Sequence, residues 1–217
     1  MLQNNHILFN EQLHDAVKKY HNLKIIQSKD GISFLRGILD IPNDNNEIVG
    51  HFLVEVCCSE KFPYRFPILF ETGGEIPNEP DWHKYKDASC CITIWPDEIL
   101  KCKNGISVSL FIEKHAVPYF ANYLHKKQTG EYKNGEYAHG IKGTNQFYES
   151  LMKTANRDLW IQYFKNTFQN LKVGCERNDI CFCGSGDKYK QCHLEVFNSL
   201  RQIGERQILN DFNLIMK

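Results

Sequence analysis

The sequence predicts an α+β fold in which an antiparallel β-meander carries a helix on one face and further helices follow it. A short segment with helical apolar spacing opens the chain, and strand-like runs come after it in close succession. Sequential strands with short connections pair antiparallel. The last third of the chain returns to the apolar spacing typical of helices. This order places the predicted sheet in the first half of the chain.

The first helix and the strands follow from their residue patterns. Leu13, Val17 and Tyr20 lie at helical spacing and predict a helix over residues 11–20. Three strands are predicted from apolar runs separated by turn-forming segments, at residues 33–41, 47–56 and 67–72. Residues 73–110 carry several glycines and prolines and are predicted to be mostly irregular.

Helices are predicted again in the second half of the chain. Residues 106–125 have a helical pattern that Pro118 must kink or restart. Asn145 can cap a long helix that runs to about Val173 and ends at the following glycine. A last helix is predicted from Leu194 into the 210s.

Composition and charge exclude several classes of protein. The 217 residues suffice for one domain of ordinary size with a small appended module. Lysine plus arginine number 26, as do aspartate plus glutamate, so no nucleic-acid partner is expected. The first residues show no secretory signal, and no apolar stretch reaches the roughly 18–20 residues of a membrane span. We therefore expect a soluble, cytoplasmic protein with no membrane partner.

The 9 cysteines are an odd number in a chain without export features, so metal ligands or catalytic thiols are favoured over disulfides. Cys181 and Cys183 are followed by Cys192 and His193, a set typical of a structural zinc site. Unpaired buried cysteines are the alternative, which so many soft donors in one short loop disfavour. A zinc hydrolase is disfavoured because these ligands would fill the tetrahedron and leave no position for water.

The segment around these residues, "NDICFCGSGDKYKQCH", resembles the SEC-C motif, a small zinc-binding module. The resemblance rests on Asn-Asp, Cys-x-Cys-Gly-Ser-Gly, Lys-Tyr-Lys and the final Cys-His, and it covers about residues 176–195. It implies a structural Zn²⁺ held by Cys181, Cys183, Cys192 and His193, and a role in docking. It implies no reaction.

Residues 83–95, "HKYKDASCCITIW", place two adjacent cysteines where a polar loop meets an apolar run. Read alone, such a cysteine is more often a small buried side chain than a nucleophile. Together with the preceding "FPYRFP", however, the order of elements resembles the ubiquitin-conjugating enzyme fold, including divergent bacterial members found in antiviral defence operons. Those members often show His, a short spacer and then Asp-Gly-Ser-Leu-Cys-Leu. The resemblance covers roughly residues 8–150.

The resemblance implies a fold and a division of the chain. Residues 1–150 would form a four-stranded antiparallel meander with flanking helices. Residues 151–217 would form a helical extension that carries the zinc motif. The family's His-Pro-Asn triplet, whose Asn stabilises an oxyanion, is replaced here by His83-Lys84-Tyr85. A backbone N–H group or another side chain would have to supply that stabilisation.

The resemblance also implies roles for single residues. It aligns Cys91 with the nucleophile and Cys90 with an apolar residue, and His83 would order the loop. Asp97 is a candidate for helping the amine lose its proton, by proximity alone, with a solvated turn as the alternative. Cys102, between two lysines, is a rival thiol.

The function implied is that of a bacterial cysteine-dependent acyltransferase of the ubiquitin-conjugating type. It would carry the C-terminus of a partner protein as a thioester on Cys91 and pass it to an amine; a cyclic-oligonucleotide synthase of a CBASS antiphage system is one such partner. The chain has no nucleotide-binding motif, so a separate activating enzyme or direct exchange is required. The alternative is a catalytically inactive adaptor that docks through its zinc knuckle. His139, in a glycine-rich loop, could cover the site or simply be solvated.

Overall fold

The computed structural model describes residues 4–133, 137–138, 140–169 and 175–217. In chain order the helices and strands are α1 (Asn4–Lys19), β1 (Leu23–Gln27), β2 (Ser33–Pro42), β3 (Ile48–Cys57), β4 (Ile68–Glu71), α2 (Trp95–Lys101), α3 (Val108–Phe111), α4 (Val117–Thr129), α5 (Ile141–Met152), α6 (Arg157–Phe168), α7 (Leu194–Ile203) and α8 (Glu205–Ile215). A π-helical turn, Ile112–Ala116, joins α3 to α4. Two 3₁₀ turns lie at Pro80–Trp82 and Tyr189–Gln191.

The chain divides into two units, which we call the sheet unit and the helical unit. The sheet unit consists of Met1–Thr93 and Lys101–Glu136. The helical unit consists of Ile94–Leu100 and Tyr137–Lys217. The boundary predicted at residue 150 falls inside α5, whose residues pack with the other helices of the helical unit.

The sheet unit contains a four-stranded sheet in the order β1-β2-β3-β4, in which each neighbouring pair is antiparallel. The α+β class and the antiparallel meander are confirmed, as are the three strands predicted from apolar runs. The residue pattern fails to predict β1 because Leu23 is the single buried residue of this edge strand. A strand with one buried position has no alternating apolar pattern to detect.

Side chains on one face of the sheet form an apolar core with α1. Leu35 of β2 and Phe52 and Val54 of β3 are fully buried, while residues between them are more exposed. Phe9 and Leu13 of α1 are fully buried in the same cluster. Burying one such side chain contributes about 1.5–3 kcal/mol. The spacing of apolar residues along each helix or strand therefore decides which of its faces packs into the core.

The helical stretch predicted around Pro118 is present, with the irregularity that a proline requires. Pro118 lies in the first turn of α4, directly after the π turn. Proline has no backbone N–H and cannot continue the regular bonding of the preceding turn, and a π turn is one way to absorb that change. Phe120 of α4 stacks on Phe52 of β3 with ring centroids 4.3 Å apart, which attaches the helix to the sheet.

The helical unit is built around large side chains that its helices share. Tyr148, Trp160, Phe197 and Ile208, on α5 to α8, are fully buried in one apolar cluster. Tyr148 also donates a hydrogen bond to a carboxylate oxygen of Asp211 at 2.8 Å. In the parts of the chain that the structure describes, no helix combines the length and apolar character that crossing a membrane requires.

The single long helix predicted from Asn145 is wrong, because α5 and α6 are separate helices. Lys153, directly after α5, has a φ of 55°, in the left-handed region where a right-handed helix ends. The side-chain oxygen of Asn156 then accepts hydrogen bonds from two backbone N–H groups and caps α6. The predicted helix end at Val173 lies outside the described residues. The last predicted helix is also divided, at Gly204, whose φ is 88°.

Candidate metal centre and candidate thiol site

The metal-site loop, residues 181–193 of the helical unit, is shaped by a tight turn. Ile180 and Lys188 form an antiparallel bridge that closes the base of the turn. Gly184 and Gly186 have φ values of 78° and 81°, which L side chains rarely adopt. The chain therefore reverses within a few residues, and the end of the loop returns to its beginning.

Four donor atoms converge at this turn. The ligand atoms of Cys181, Cys183, Cys192 and His193 all lie within 4.8 Å of one another. Nδ1 of His193 is 3.1 Å from Sγ of Cys192 and 3.3 Å from Sγ of Cys181. The sulfurs of Cys183 and Cys192 are 3.5 Å apart. A tetrahedron with bonds of about 2.0–2.3 Å has edges of about 3.3–3.8 Å, so the donors could hold one metal ion and are consistent with zinc.

His193 is oriented for metal binding by Tyr163 of α6. Nε2 of the imidazole lies 3.1 Å from the Tyr163 hydroxyl, while Nδ1 faces the sulfurs. With Nδ1 as the ligand atom, Nε2 keeps its proton and donates it to the tyrosine oxygen. Burial lowers the pKa of His193, which keeps the ring neutral, as a ligand must be.

The thiols of the loop differ in acidity. The Ser185 hydroxyl donates to the exposed thiol of Cys183 and lowers its pKa to about 7. Burial raises the pKa of the Cys181 thiol to about 11. A metal ion binds thiolates, and its charge favours their deprotonation. Of these two thiols, Cys183 is therefore the readier to bind, and the ionisation of Cys181 depends more on the ion.

The thiol-site hairpin, residues 83–91 of the sheet unit, is a second tight turn. Lys84 and Cys90 form an antiparallel bridge across it. The backbone N–H of Cys90 donates to the carbonyl of Leu69 in β4 at 2.8 Å. The hairpin is thus attached to the sheet by main-chain hydrogen bonds, and the two cysteines have fixed positions beside β4.

The tip of the hairpin is held by a side chain and a strained backbone. The carboxylate of Asp87 accepts hydrogen bonds from the hydroxyl and the backbone N–H of Ser89 at 2.6 and 3.0 Å. The hydroxyl contact is the main reason that the pKa of Asp87 is lowered. Ala88 has a φ of 67°, a conformation that favours glycine. The turn therefore imposes its geometry on a residue that does not prefer it.

A buried ion pair anchors the hairpin to the end of β4. Nζ of Lys84 lies 2.5 Å from a carboxylate oxygen of Glu71, and their side chains are 2% and 0% exposed. The same Nζ donates to the backbone carbonyl of Ile76 at 3.0 Å. Removing one partner of such a pair leaves a buried charge uncompensated. The position of the hairpin thus depends on both residues.

His83 positions Cys91 through its backbone. The His83 carbonyl accepts a hydrogen bond from the N–H of Cys91 at 2.7 Å and another from the Tyr119 hydroxyl at 3.0 Å. Its φ of 51° places it at the end of a 3₁₀ turn, and its imidazole lies against the ring of Tyr132 with centroids 5.1 Å apart. These contacts support an ordering role for His83.

The adjacent cysteines have different surroundings. Cys90 packs against the apolar core, and burial raises the pKa of its thiol to about 12. Cys91 is half-buried, and the Tyr85 hydroxyl lies 3.2 Å from its sulfur. Successive side chains of an extended segment point to opposite sides. Both residues are half-buried, and they differ in that Cys90 packs against the apolar core whereas Cys91 contacts a tyrosine hydroxyl.

The remaining candidates lie outside the hairpin. Asp97 is in the first turn of α2, in the helical unit. The pKa of Tyr137 in the same unit is raised, mainly by burial and to a lesser degree by the negative charge of Asp97. The part of Asp97 in acyl transfer stays a prediction. Cys102 is fully buried in the core of the sheet unit, which contradicts the reactive surface thiol considered for it. His139 lies outside the described residues.

Sequence reasoning missed the side chains that support both sites. Glu71 meets Lys84 from 13 residues away, and Tyr163 meets His193 from 30 residues away. No short sequence pattern predicts these pairs, because their members are distant in sequence and meet only in the folded chain. Tyr85 is different, since it stands in the triplet that begins at His83 and could have been found from that position.

A known family model matches one part of the chain. The SEC-C motif matches residues 177–195, the segment that contains all four donors. The motif predicted from the sequence is therefore confirmed, and it agrees with a cluster that could hold a metal ion. Comparison with curated proteins and with solved structures gives no match. The ubiquitin-conjugating fold inferred from the sequence has no support from these comparisons and stays a prediction.

Proposed function

We propose that this protein carries an acyl group as a thioester on Cys91 and transfers it to an amine, in the manner of ubiquitin-conjugating enzymes. The main support is the position of Cys91, a half-buried thiol on a hairpin that main-chain bonds and a buried ion pair attach to β4. The thiol of Cys90, which is also half-buried, packs against the core, and burial raises its pKa to about 12. Cys91 is therefore the sulfur of the doublet that we propose for acylation.

The arrangement of the elements supports the same proposal. Helix α1 precedes a four-stranded antiparallel meander, and the histidine-bearing hairpin follows β4, which is the order that the resemblance implies. Ala88, with its φ of 67°, stands where the bacterial pattern has Gly. A backbone that favours glycine at this position is what such a motif would require.

The proposed reaction consists of two exchanges at one sulfur. The Cys91 thiolate attacks the carbonyl carbon of an activated acyl donor, an S–C bond forms, and the leaving group departs with its electron pair. An amine then attacks the thioester carbonyl. The C–N bond forms, the C–S bond breaks, Cys91 leaves as a thiolate, and the proton of the amine passes to a base.

The helical unit has a structural role in this proposal. Zn²⁺ is the ion that three thiolates and an imidazole suit best. Bound by Cys181, Cys183, Cys192 and His193, it would cross-link the two ends of the metal-site loop, the second of which leads into α7. The four protein donors complete a tetrahedron and leave no position for a catalytic water, which favours a structural metal over a hydrolytic one.

The acyl group proposed is the C-terminus of a partner protein. The chain carries no nucleotide-binding motif, so a separate enzyme must activate that C-terminus unless Cys91 accepts it by direct exchange. The bacterial members that the chain resembles make a cyclic-oligonucleotide synthase of a CBASS system the first partner to test. Conjugation in antiviral defence is therefore the proposed setting.

The reaction can be tested with a short peptide that ends in a thioester as the donor and free lysine as the acceptor. The mass of the protein should increase by one acyl group, which hydroxylamine removes. Lysine should discharge this adduct faster than it discharges the same peptide thioester of N-acetylcysteine, whose blocked amine cannot take the acyl group itself.

Two variants make this test specific. Cys91→Ala should form no adduct, whereas Cys58→Ala, which removes another half-buried thiol of the sheet unit, should react like the unaltered protein. An adduct that persists in Cys91→Ala, or a discharge no faster than from the N-acetylcysteine thioester, would contradict the proposal.

A non-catalytic adaptor is the second candidate, and exposed apolar side chains at the metal-site loop favour it. Ile180 is 61% exposed and Phe182 is 39% exposed, as expected of a loop that docks against another protein. A protein that forms no adduct with the peptide thioester, yet binds its partner only when zinc is present, would support this second function.

A further inference from the structure

We infer that the Tyr85 hydroxyl is a catalytic hydrogen-bond donor at Cys91, which stabilises negative charge as it moves between the sulfur and the carbonyl oxygen of the acyl group. The inference rests on the proposed acyl transfer and names a residue for it. Its basis is the contact across the thiol-site hairpin, in which the hydroxyl oxygen of Tyr85 lies 3.2 Å from Sγ of Cys91.

The register of the hairpin produces this contact. The N–H of Tyr85 donates to the carbonyl of Ser89 at 2.8 Å, and the N–H of Cys91 donates to the carbonyl of His83 at 2.7 Å. These bonds fix the two arms of the hairpin against each other. The Tyr85 side chain, which is long enough to cross the gap between the arms, therefore reaches the sulfur from the opposite arm.

A hydroxyl in this position can act in both exchanges. The thiolate is the reactive form of cysteine, and a donor to the sulfur favours that form. Once the sulfur is acylated, the charge appears instead on the carbonyl oxygen, two bonds away, when the amine attacks. The hydroxyl can donate to that oxygen while the C–N bond forms and the C–S bond breaks. Tyr85 keeps its proton throughout.

Neighbouring groups have contacts of their own. The Tyr119 hydroxyl donates to the carbonyl of His83, and Tyr119 is 9% exposed. The thiol of Cys90 packs against the core. The Tyr85 side chain is 54% exposed, so an incoming acyl group can approach it. It also occupies the third place of the triplet in which the resemblance leads one to expect Asn.

The expected effect is moderate because water competes at an exposed hydroxyl. Loss of one enclosed oxyanion donor slows a reaction by about 100- to 1000-fold. For Tyr85→Phe we expect discharge of the Cys91 thioester to slow by about tenfold. This factor corresponds to the loss of one ordinary hydrogen bond to a charged group.

The test uses the full-length chain, a short peptide thioester as the donor and free lysine as the acceptor. Tyr85→Phe is compared with Tyr64→Phe, which removes the hydroxyl of another exposed tyrosine of the sheet unit. Discharge should be about tenfold slower in Tyr85→Phe and unchanged in Tyr64→Phe. Equal discharge in Tyr85→Phe and in the unaltered protein would overturn the inference and leave the proposed function intact.

Alkylation of Cys91 by iodoacetamide, followed by mass spectrometry across a pH range, separates this failure from that of the proposed function. Loss of a donor to the thiolate should move the profile of Tyr85→Phe to higher pH, while the nearby titratable groups Cys90, Tyr119 and His83 are unaltered. A protein that shows this shift but never forms a thioester would overturn the acyl transfer and the catalytic role of Tyr85 together. Circular dichroism of each variant verifies that the fold is retained.

Discussion

The metal-site loop and the thiol-site hairpin both present cysteines on a tight turn, yet different features decide their chemistry. In the metal-site loop the donors belong to one short motif and meet within 4.8 Å. In the hairpin, Cys90 and Cys91 are adjacent in sequence, but burial raises the pKa of the Cys90 thiol to about 12 while Cys91 lies beside a tyrosine hydroxyl. Spacing therefore predicts a metal site, whereas the proposal of a nucleophile depends on the surroundings of each thiol.

The largest expected effect is on metal binding. Cys181→Ser removes the buried ligand of the metal-site loop, and we expect bound zinc to fall from about one ion per chain to near zero, because three donors hold a structural ion poorly. Elemental analysis after gel filtration measures the number of zinc ions bound per chain. Cys175→Ser is the control, since its sulfur donates to the carbonyl of Ile180 at 3.2 Å and is not one of the donors. Undiminished zinc in Cys181→Ser would mean that the loop is not the metal site.

The next effect is on the stability of the sheet unit. Lys84→Met leaves the carboxylate of Glu71 buried without its partner, and we expect the free energy of unfolding to fall by about 3–5 kcal/mol. Denaturant titration measures it. Replacing the exposed Lys86 by Met should change stability by less than about 0.5 kcal/mol. The double variant Lys84→Met/Glu71→Leu should recover much of the loss. A loss as small as that of Lys86→Met would show that the ion pair does not anchor the hairpin.

A smaller effect concerns the orientation of His193. Tyr163→Phe removes the acceptor of the Nε2 proton, and we expect zinc affinity to fall by about 10- to 100-fold. Competition with a chromophoric chelator measures the affinity. Tyr137→Phe, at another partly buried tyrosine of the helical unit, should bind zinc as the unaltered protein does. If both variants bind equally tightly, Tyr163 does not orient the ligand.

A still smaller change in stability is expected at the tip of the thiol-site hairpin. Ala88→Gly relieves a left-handed alanine, and the free energy of unfolding should rise by up to about 1 kcal/mol. Ala121→Gly, inside α4, should lower it by about 1 kcal/mol. Thermal and denaturant unfolding measure both changes. A stability loss in Ala88→Gly would show that the turn does not strain this residue.

Much of the fold could be predicted because it depends on local patterns. Alternating apolar residues identified β2 to β4, and the donor spacing identified the metal-site loop. The break after α5 was missed because the apolar spacing continues across it, while the left-handed Lys153 and the cap at Asn156 end one helix and begin another. The pairing of Glu71 with Lys84 could not be foreseen, since it arises only when the hairpin docks on β4.

The most direct test is site-resolved alkylation of the native, zinc-loaded protein near neutral pH. Cys91 should be labelled before Cys57, Cys58 and Cys90, because burial raises the pKa of Cys57 and Cys58 to about 11 and that of Cys90 to about 12, so those thiols remain protonated. The zinc ligands should react only after a chelator removes the metal, with the rate at Cys91 unchanged. Labelling of Cys90 before Cys91, or of the ligands from the start, would contradict the account.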